Sequence, residues 1–246
     1  MRLPFFAALL TSAALLAAPA HAEMSDTERE SFRAEVKSYL LENPEVLVEA
    51  MNVLQDRQDQ AAAAQDKDLL ATYNEALNAD GYSWVGGNPE GDITVIEFMD
   101  YRCGYCRKAY TEVEELVKAD GNIRFILKEY PILGEDSIAS ARFAIAVQQL
   151  HGADAYKKAH DALITLRGTP DAETLGRLAT DLGLDPQPVL AKMNSDEVTA
   201  VIAQNQDLGQ KMSISGTPTF IINQTLLRGY VPLDGMQQIV ADERQG

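Results

Sequence analysis

The residues best suited to chemistry in this sequence are its two cysteines, Cys103 and Cys106. Thiols three positions apart lie on one turn of a helix, where they can switch between dithiol and disulfide. A structural disulfide is the first alternative, but a loop this short would stabilise the fold by only about 2 kcal/mol, against about 3 kcal/mol for fifteen residues. Half a zinc site is the second, but zinc normally needs four ligands and the sequence has no further cysteine. The spacing therefore favours a redox pair.

The neighbouring sequence predicts that a helix begins at Cys103. Residues 93–98 are rich in β-branched side chains, which indicates a buried strand, and residues 100–102 form a short loop. Apolar residues then recur at helical spacing up to residue 117. Because unpaired backbone N–H groups and the helix dipole favour a thiolate at a helix start, we predict that Cys103 is the nucleophile. Cys106 is then the resolving thiol that frees Cys103 from a mixed disulfide.

The amino terminus has the pattern of an export signal. Arg2 is basic, residues 3–16 are mostly apolar, and Ala20-His21-Ala22 provides a small-x-small cleavage site. The alternative, a membrane anchor, needs about 20 apolar residues. We therefore predict a signal peptide over residues 1–22 and a periplasmic mature protein, in a compartment where disulfides form.

Charge and composition limit the classes of partner. The formal net charge is −16 and hydrophobic residues make up 46% of the chain, so a soluble globular protein is expected. Nucleic acid is excluded as a partner because its phosphates require clustered lysine and arginine. Thiol–disulfide exchange needs only the two sulfurs, so no cofactor and no metal site are predicted.

Two segments carry a resemblance to a known family. Residues 95–106, VIEFMDYRCGYC, resemble the active-site stretch of the DsbA-like family of the thioredoxin superfamily. Residues 214–220, ISGTPTF, resemble that family's loop, in which a cis proline faces the redox pair. The resemblance covers about residues 82–246. It implies an α/β thioredoxin-like fold with an all-helical insertion at about 135–193, within a domain of residues 81–246.

The periodicity of the chain agrees with that implied fold. Strands are predicted at residues 93–98, 123–129, 220–222 and 226–229. Helical segments are predicted at residues 139–150, 153–166, 172–182, 196–212 and 233–242.

The resemblance also assigns roles to residues around the cysteines. Glu97 stands where the family often has a buried acid that shuttles a proton to the resolving thiol, and Lys128 stands in the place of its basic partner. The alternative for Glu97 is a half-exposed strand residue paired with a lysine. Pro218 would hold substrate backbone close to the site, and Thr217 would present its backbone to an extended substrate peptide.

The dipeptide Gly104-Tyr105 between the cysteines bears on the direction of the redox chemistry and on substrate binding. Strongly oxidising DsbA proteins have a histidine there, whereas this sequence is predicted to have no histidine in its site. Gly-Tyr, together with Thr217 before the proline, resembles disulfide isomerases of the DsbC type. This similarity implies an isomerase or reductase.

Residues 23–80 read as an α-helical extension that precedes the catalytic domain. Ser25 and Glu28 offer a capping box for a first helix, and Pro44 opens a second one. LENPE at residues 41–45 is similar to the extension of ScsC-like family members. The extension has an apolar stripe, which would be buried either against the catalytic domain or in a homo-oligomer. We predict an oligomerisation segment.

These features predict a protein disulfide isomerase or reductase. Its substrates would be unfolded or misfolded exported proteins with cysteines, and a membrane redox partner would supply the electrons. One alternative is a DsbA-like disulfide oxidase. Another is a copper-tolerance module, because two thiols at a helix start can hold Cu(I).

Overall fold

A computed structural model describes residues 24–245, which form ten helices and five strands. The helices are α1 Asp26–Glu42, α2 Glu45–Thr72, α3 Asn74–Asn78, α4 Gly104–Asp120, α5 Glu135–His151, α6 Ala153–Thr165, α7 Ala172–Asp181, α8 Pro186–Lys192, α9 Asp196–Lys211 and α10 Leu233–Gln245. The strands are β1 Trp84–Gly87, β2 Ile93–Met99, β3 Ile123–Glu129, β4 Thr219–Ile222 and β5 Thr225–Arg228. The predicted signal peptide, residues 1–22, lies outside the described residues.

The described chain divides into two compact units, of which the first ends at Gln58. In this unit, α1 has the predicted capping box: the Ser25 hydroxyl accepts from the Glu28 backbone, and the Glu28 carboxylate accepts from the Ser25 backbone. No residue of α1 is buried. Between residues 24 and 245, no helix is both long and apolar enough to cross a membrane.

The second unit begins at Asp59 and contains the sheet. The strand order is β1-β3-β2-β4-β5, with β2 and β3 parallel and the other neighbours antiparallel. Helix α4 connects β2 to β3, and helices α5 to α9 all lie between β3 and β4. The predicted α/β thioredoxin-like fold with a helical insertion and a preceding helical extension is therefore confirmed.

Alternation along the central strands gives each face of the sheet its own core. Val95 and Met99 face one core, together with buried residues of α4, α5 and α6. Ile96 and Phe98 face the other, in which Leu70 of α2 is among the buried residues. The C-terminal part of α2 thus packs in the core of the second unit.

Lys128 is fully buried on the second of these faces. Its Nζ donates to the Asp80 carboxylate at 2.5 Å and to the Ala76 carbonyl at 2.9 Å. Burial alone would raise the pKa of Asp80, but the Lys128 ammonium and hydrogen bonds from Ser83 hold that pKa below its usual value. The ion pair thus connects residues 76–80, which precede β1, to the central part of the sheet.

Removing one partner of this buried pair should destabilise the protein strongly. We expect Lys128→Met to lower the free energy of unfolding by about 3–5 kcal/mol, because an unpaired carboxylate is left inside. The double variant Asp80→Leu/Lys128→Met should recover much of that loss. Urea unfolding at pH 7 measures both changes. A double variant as unstable as Lys128→Met would contradict the assignment of the loss to the orphaned charge.

Candidate active site

Cys103 is the N-cap residue of α4. Its backbone is extended, with φ −73° and ψ 120°, and its Sγ accepts a hydrogen bond from the Cys106 backbone N–H at 3.4 Å. Gly104 begins the helix, and a Cβ built at this position would meet no atom within 4 Å. Only 7% of the Cys103 surface is exposed. Cys103 therefore lies at a helix start, as expected from the sequence, and its role as the nucleophile stays a prediction.

The surroundings of Cys103 stabilise its anion. Hydrogen bonding from the Cys106 thiol contributes most to lowering the Cys103 pKa, while burial acts in the opposite direction. The Thr217 side chain and hydrogen bonds from the backbone N–H groups of Cys106 and Tyr105 add to the lowering, so that the pKa falls to about 5. At neutral pH, Cys103 is therefore mostly a thiolate.

Cys106 has the opposite properties. Only 1% of it is exposed, and burial raises the pKa of its thiol far above the ordinary value. Its hydrogen bond to Cys103 and the nearby Glu97 carboxyl raise this pKa further. Cys106 therefore holds its proton until a base removes it.

The loop that ends at β4 closes over Cys103. The Thr217–Pro218 peptide bond is cis, and the Cys103 thiol can donate to the Thr217 carbonyl at 3.1 Å. The backbone on both sides is held, since Thr219 Oγ1 donates to the Gly216 carbonyl at 2.8 Å. The Thr217 and Pro218 backbone thus lies beside the reactive sulfur, as the resemblance implied.

Glu97 lies in the interior next to the cysteines. It is 5% exposed and lines a small cavity together with Cys106, Tyr110 and Glu114. Burial raises the pKa of Glu97 to about 8, with further contributions from Cys103 and Glu114. A carboxyl that titrates near neutrality can both accept and return a proton.

The expected pairing of Lys128 with Glu97 is not what the structure shows. In the parallel register of β2 and β3, Glu97 lies opposite Leu127, while Lys128 lies opposite Phe98. Because successive side chains point to opposite faces of a sheet, Lys128 faces away from Glu97 and binds Asp80. Lys128 is therefore one position away from Leu127, the residue of β3 that pairs with Glu97.

Comparisons with known proteins agree with this geometry. A DsbA-like thioredoxin domain model matches residues 94–241. The chain belongs to the DsbA-like thioredoxin family. A second model, the N-terminal domain of the copper resistance protein ScsC, matches residues 28–61.

Individual family members cover much of the chain. A thioredoxin-like oxidoreductase from Silicibacter pomeroyi is 41% identical, with a TM-score of 0.65 over 70% of this chain and 98% of that one. BcfH from Salmonella enterica Typhimurium is 30% identical, with a TM-score of 0.74 over 89% of this chain and 97% of that one. Disulfide bond formation protein D from Bacillus subtilis is 24% identical over 66% of this chain and 77% of its own. Of the matching Salinispora arenicola Na(+)/H(+) antiporter, by contrast, the chain spans only 25%. The DsbA-like family to which this chain belongs is a family of thiol–disulfide oxidoreductases.

An aromatic surface flanks the DsbA-like motif. Tyr105 is 62% exposed, and its ring stacks on that of Tyr230 at 6.0 Å. The Lys108 ammonium lies 4.1 Å from the centre of the Tyr230 ring. Exposed Ile132 and Leu133 follow β3, and the buried Asp100 carboxylate accepts from both of their backbone N–H groups, at 2.8 and 3.0 Å.

The prediction of a site without histidine is wrong. His160 of α6 is 3% exposed and lines the same small cavity as Glu97 and Cys106. No sequence signal identifies His160, because it stands 54 positions after Cys106. It reaches the site only through the packing of α6 on α4. Burial lowers the pKa of His160 to about 4, so its ring is neutral and adds no positive charge beside the thiols.

Alkylation should reveal the acidity of Cys103. In the reduced protein, the rate of Cys103 carboxamidomethylation by iodoacetamide should rise with pH to a plateau, with a midpoint near pH 5. Cys106→Ser keeps a donor at position 106, whereas Cys106→Ala removes it, so we expect the midpoint to shift upward further in the alanine variant. Peptide mass spectrometry identifies the modified sulfur. Equal midpoints in both variants would contradict the role given to the Cys106 hydrogen bond.

Proposed function

We propose that this protein is a periplasmic protein disulfide isomerase or reductase that acts on exported proteins through Cys103 and Cys106. The observation that carries this proposal is the contrast between the lowered pKa of Cys103 at the helix start and the raised pKa of the more deeply buried Cys106. An isomerase needs a stable thiolate to attack a substrate disulfide. It also needs a resolving thiol that acts slowly, so that the substrate has time to rearrange.

The reaction follows from that arrangement. The Cys103 thiolate attacks one sulfur of a wrong substrate disulfide, and a mixed disulfide forms while a substrate thiolate leaves. That thiolate attacks another substrate disulfide, and a later substrate thiolate displaces Cys103 unchanged. If rearrangement stalls, Cys106 loses its proton and displaces the substrate, which leaves a Cys103–Cys106 disulfide. A membrane reductant would then return two electrons to the pair.

The surface around the pair suits an unfolded chain. Tyr105, Ile132 and Leu133 offer apolar contacts without a deep pocket. Thr217 offers its backbone to an extended peptide, as in recognition by strand addition. Because backbone contacts are independent of sequence, this surface would accept many misfolded proteins that contain cysteine.

The amino-terminal unit supports self-association with a second copy of the chain. Large apolar side chains on α1 and the start of α2 are exposed, among them Phe32 59%, Leu41 72%, Leu47 50%, Met51 70% and Leu54 56%. An apolar face of this size needs a covering partner in a soluble protein. The match of residues 28–61 to the ScsC N-terminal model spans this face. Several catalytic thiols in one oligomer would raise the local concentration of thiolate around one substrate.

Charge placed on this face should separate the copies. We expect Leu41→Glu/Met51→Glu to convert an oligomer into a monomer, because each glutamate would be buried at the interface. Light scattering after size exclusion measures the mass, and Gln58→Glu, also exposed, serves as the control. A monomeric wild type would contradict the proposed oligomer. A double variant that stays oligomeric would show that the interface lies elsewhere.

Recovery of activity from scrambled ribonuclease tests the isomerase directly. The reduced wild type should restore activity in a buffer that contains neither glutathione nor oxygen, and the Leu41→Glu/Met51→Glu variant should be several-fold slower. Rapid oxidation of reduced ribonuclease without unscrambling would reject the isomerase.

A DsbA-like oxidase is the second candidate, and the low pKa of Cys103 favours it. A stabilised thiolate stabilises the dithiol form, which makes the disulfide more oxidising. Equilibration with glutathione measures the reduction potential. A potential close to that of strong oxidants, about −120 mV, would select the oxidase. Stoichiometric Cu(I) binding without disulfide exchange would instead support a copper module.

A further inference from the structure

A second buried carboxyl lies close to the redox site and has no part in the mechanism above. Glu129 is 4% exposed and ends β3, where it lies opposite Met99 of β2. Glu97 lies opposite Leu127, two positions earlier in β3. Because side chains two positions apart point the same way, Glu129 and Glu97 share one face of the sheet.

Glu129 is bound by two buried tyrosines. The Tyr101 hydroxyl lies 2.8 Å and the Tyr156 hydroxyl 2.6 Å from Glu129 Oε1. Among the described residues, Oε2 is buried with no hydrogen-bond partner. Burial raises the pKa of Glu129 to about 8 against the lowering effect of these hydrogen bonds, so Glu129 carries a proton at neutral pH.

Tyr101 connects this carboxyl to the cavity beneath Cys106. Its hydroxyl also lies 3.2 Å from His160 Nδ1, and His160 lines the cavity with Glu97 and Cys106. Glu129, Tyr101 and His160 therefore form an unbroken row of exchangeable protons. Tyr101 stands two positions before Cys103, so the row runs directly under the active-site loop.

We propose that Glu129 is a proton reserve for Cys106 and that its proton reaches the redox site through Tyr101 and His160. This inference rests on the thiol–disulfide exchange proposed above. Glu129 acts through other residues and is therefore a positioning residue.

The step that uses the reserve is the opening of the Cys103–Cys106 disulfide. A thiolate of the reductant bonds to Cys103 Sγ, the bond between the two enzyme sulfurs breaks, and Cys106 leaves with the electron pair. The sulfur of the reductant is thereby oxidised and the Cys106 sulfur is reduced. Glu97 gives its proton to Cys106 and recovers one from His160 Nε2.

The relay then returns His160 to its neutral form, with the ring proton moved from Nε2 to Nδ1. Tyr101 passes its hydroxyl proton to His160 Nδ1 and receives the Glu129 proton, so the net transfer runs from Glu129 to Cys106. The final state has an ionised Glu129 that accepts two tyrosine hydrogen bonds. Water returns the proton to Glu129 between turnovers.

Other charged groups around the row must be considered in any pH profile. Asp100 raises the pKa of Glu129, Asp161 raises that of His160, and Lys157 lowers it. The groups that face the row from the other elements are Glu97 of β2, Arg107 and Tyr110 of α4, Tyr156 of α6 and Asn205 of α9.

The test follows the opening of the enzyme disulfide by reduced glutathione between pH 5 and 10, in the full mature chain. At pH 7 we expect Glu129→Gln and Tyr101→Phe each to slow opening by about tenfold, less than the roughly 10²- to 10⁴-fold of a direct proton donor, because Glu97 still protonates Cys106. Glu129→Gln/Tyr101→Phe should be no slower than either single variant, because both interrupt the same row. The solvent isotope effect on opening should fall equally in all three.

Tyr156→Phe is the matched control. It removes the other hydroxyl from Glu129 but leaves the row to His160 intact. Since that hydrogen bond lowers the pKa of Glu129, its loss should move the fall in rate to higher pH and leave the rate at pH 6 close to that of the wild type.

The outcomes separate this inference from the proposed function. A wild type that opens no disulfide would reject thiol–disulfide exchange itself. If the wild type is active and Glu129→Gln shows the same pH profile for disulfide opening, only the role of Glu129 as a proton reserve is rejected. The same conclusion follows if the rate losses of the two single variants multiply in the double variant. If Glu129→Gln fails to fold, the rates of disulfide opening in Tyr101→Phe and Tyr156→Phe are compared instead. Only Tyr101→Phe should be slow at pH 6 if the proton passes through Tyr101.

Discussion

A Cys106→Ser variant should accumulate a covalent mixed disulfide with its substrate through Cys103. The thiolate of Cys103 remains available, since a serine hydroxyl can still donate to it, but no thiol remains one helical turn away to displace the substrate. An intramolecular thiol acts at a very high effective concentration, so we expect release to slow by at least about 10³-fold. Intact mass spectrometry and non-reducing electrophoresis, after mixing with a disulfide-containing protein at pH 7, measure the adduct.

Cys103→Ser is the matched control for this trap. It leaves a single thiol at Cys106, which is buried and whose pKa is raised well above the ordinary value. That thiol should form no adduct within the time in which Cys106→Ser is fully converted. An adduct through Cys106 at a similar rate would reverse the two roles, and its absence in both variants would argue against disulfide exchange.

The elements that position the pair could be predicted from the sequence because each has a strong local signal. Strand β3 was predicted within its observed bounds, Ile123–Glu129, and β2 ends one residue later than predicted, at Met99. Both strands are buried on two faces and are mostly apolar, although Glu97 and Lys128 interrupt the apolar pattern. Helix α4 has apolar residues at regular spacing and a left-handed glycine, Gly121, at its end.

Elements with weak local signals were missed. Strand β1, Trp84–Gly87, contains two glycines, and it exists because β3 pairs with it and Trp84 is buried. Helix α8, Pro186–Lys192, has only seven residues, too few for a periodic pattern. The alanine- and glutamine-rich stretch after Gln58 has no apolar periodicity, and it continues α2 because both residue types favour helix.

The site itself was predictable where its residues lie close to the cysteines and not where they meet through space. Cys103 and Cys106 follow from spacing, and Thr217 and Pro218 follow from the family resemblance. His160 and Glu129 depend on how α6 packs and on which face of β3 each side chain occupies. Lys128 and Glu129 are neighbours in sequence, yet only Glu129 shares the face of Glu97. Because side chains alternate between the two faces of a strand, an error of one position in register places a residue on the wrong face of the sheet.

Replacing Glu97 with glutamine should slow the release of substrate by Cys106 and stabilise the fold at alkaline pH. Glutamine keeps the shape of the side chain but cannot accept the Cys106 proton, so we expect resolution at pH 7 to fall by roughly 10²-fold. Glu114→Gln, which alters another carboxyl of the same cavity, should stay within a few-fold of the wild type. Stopped-flow measurement of substrate release from a preformed mixed disulfide gives both rates.

The stability effect of Glu97→Gln has a definite sign. The folded pKa of Glu97, about 8, lies above the value of 4.5 expected in an unfolded chain. Its contribution to stability is therefore fully present below pH 4.5 and is lost as the pH rises through 8. A shift of this size corresponds to a loss on the order of 5 kcal/mol. Glutamine does not titrate, so relative to the wild type the variant should gain stability between pH 5 and pH 9 in urea unfolding. Parallel pH dependence in the two proteins would show that the pKa of Glu97 is not raised in the fold, and Glu97 could then not hold a proton at neutral pH to return to Cys106.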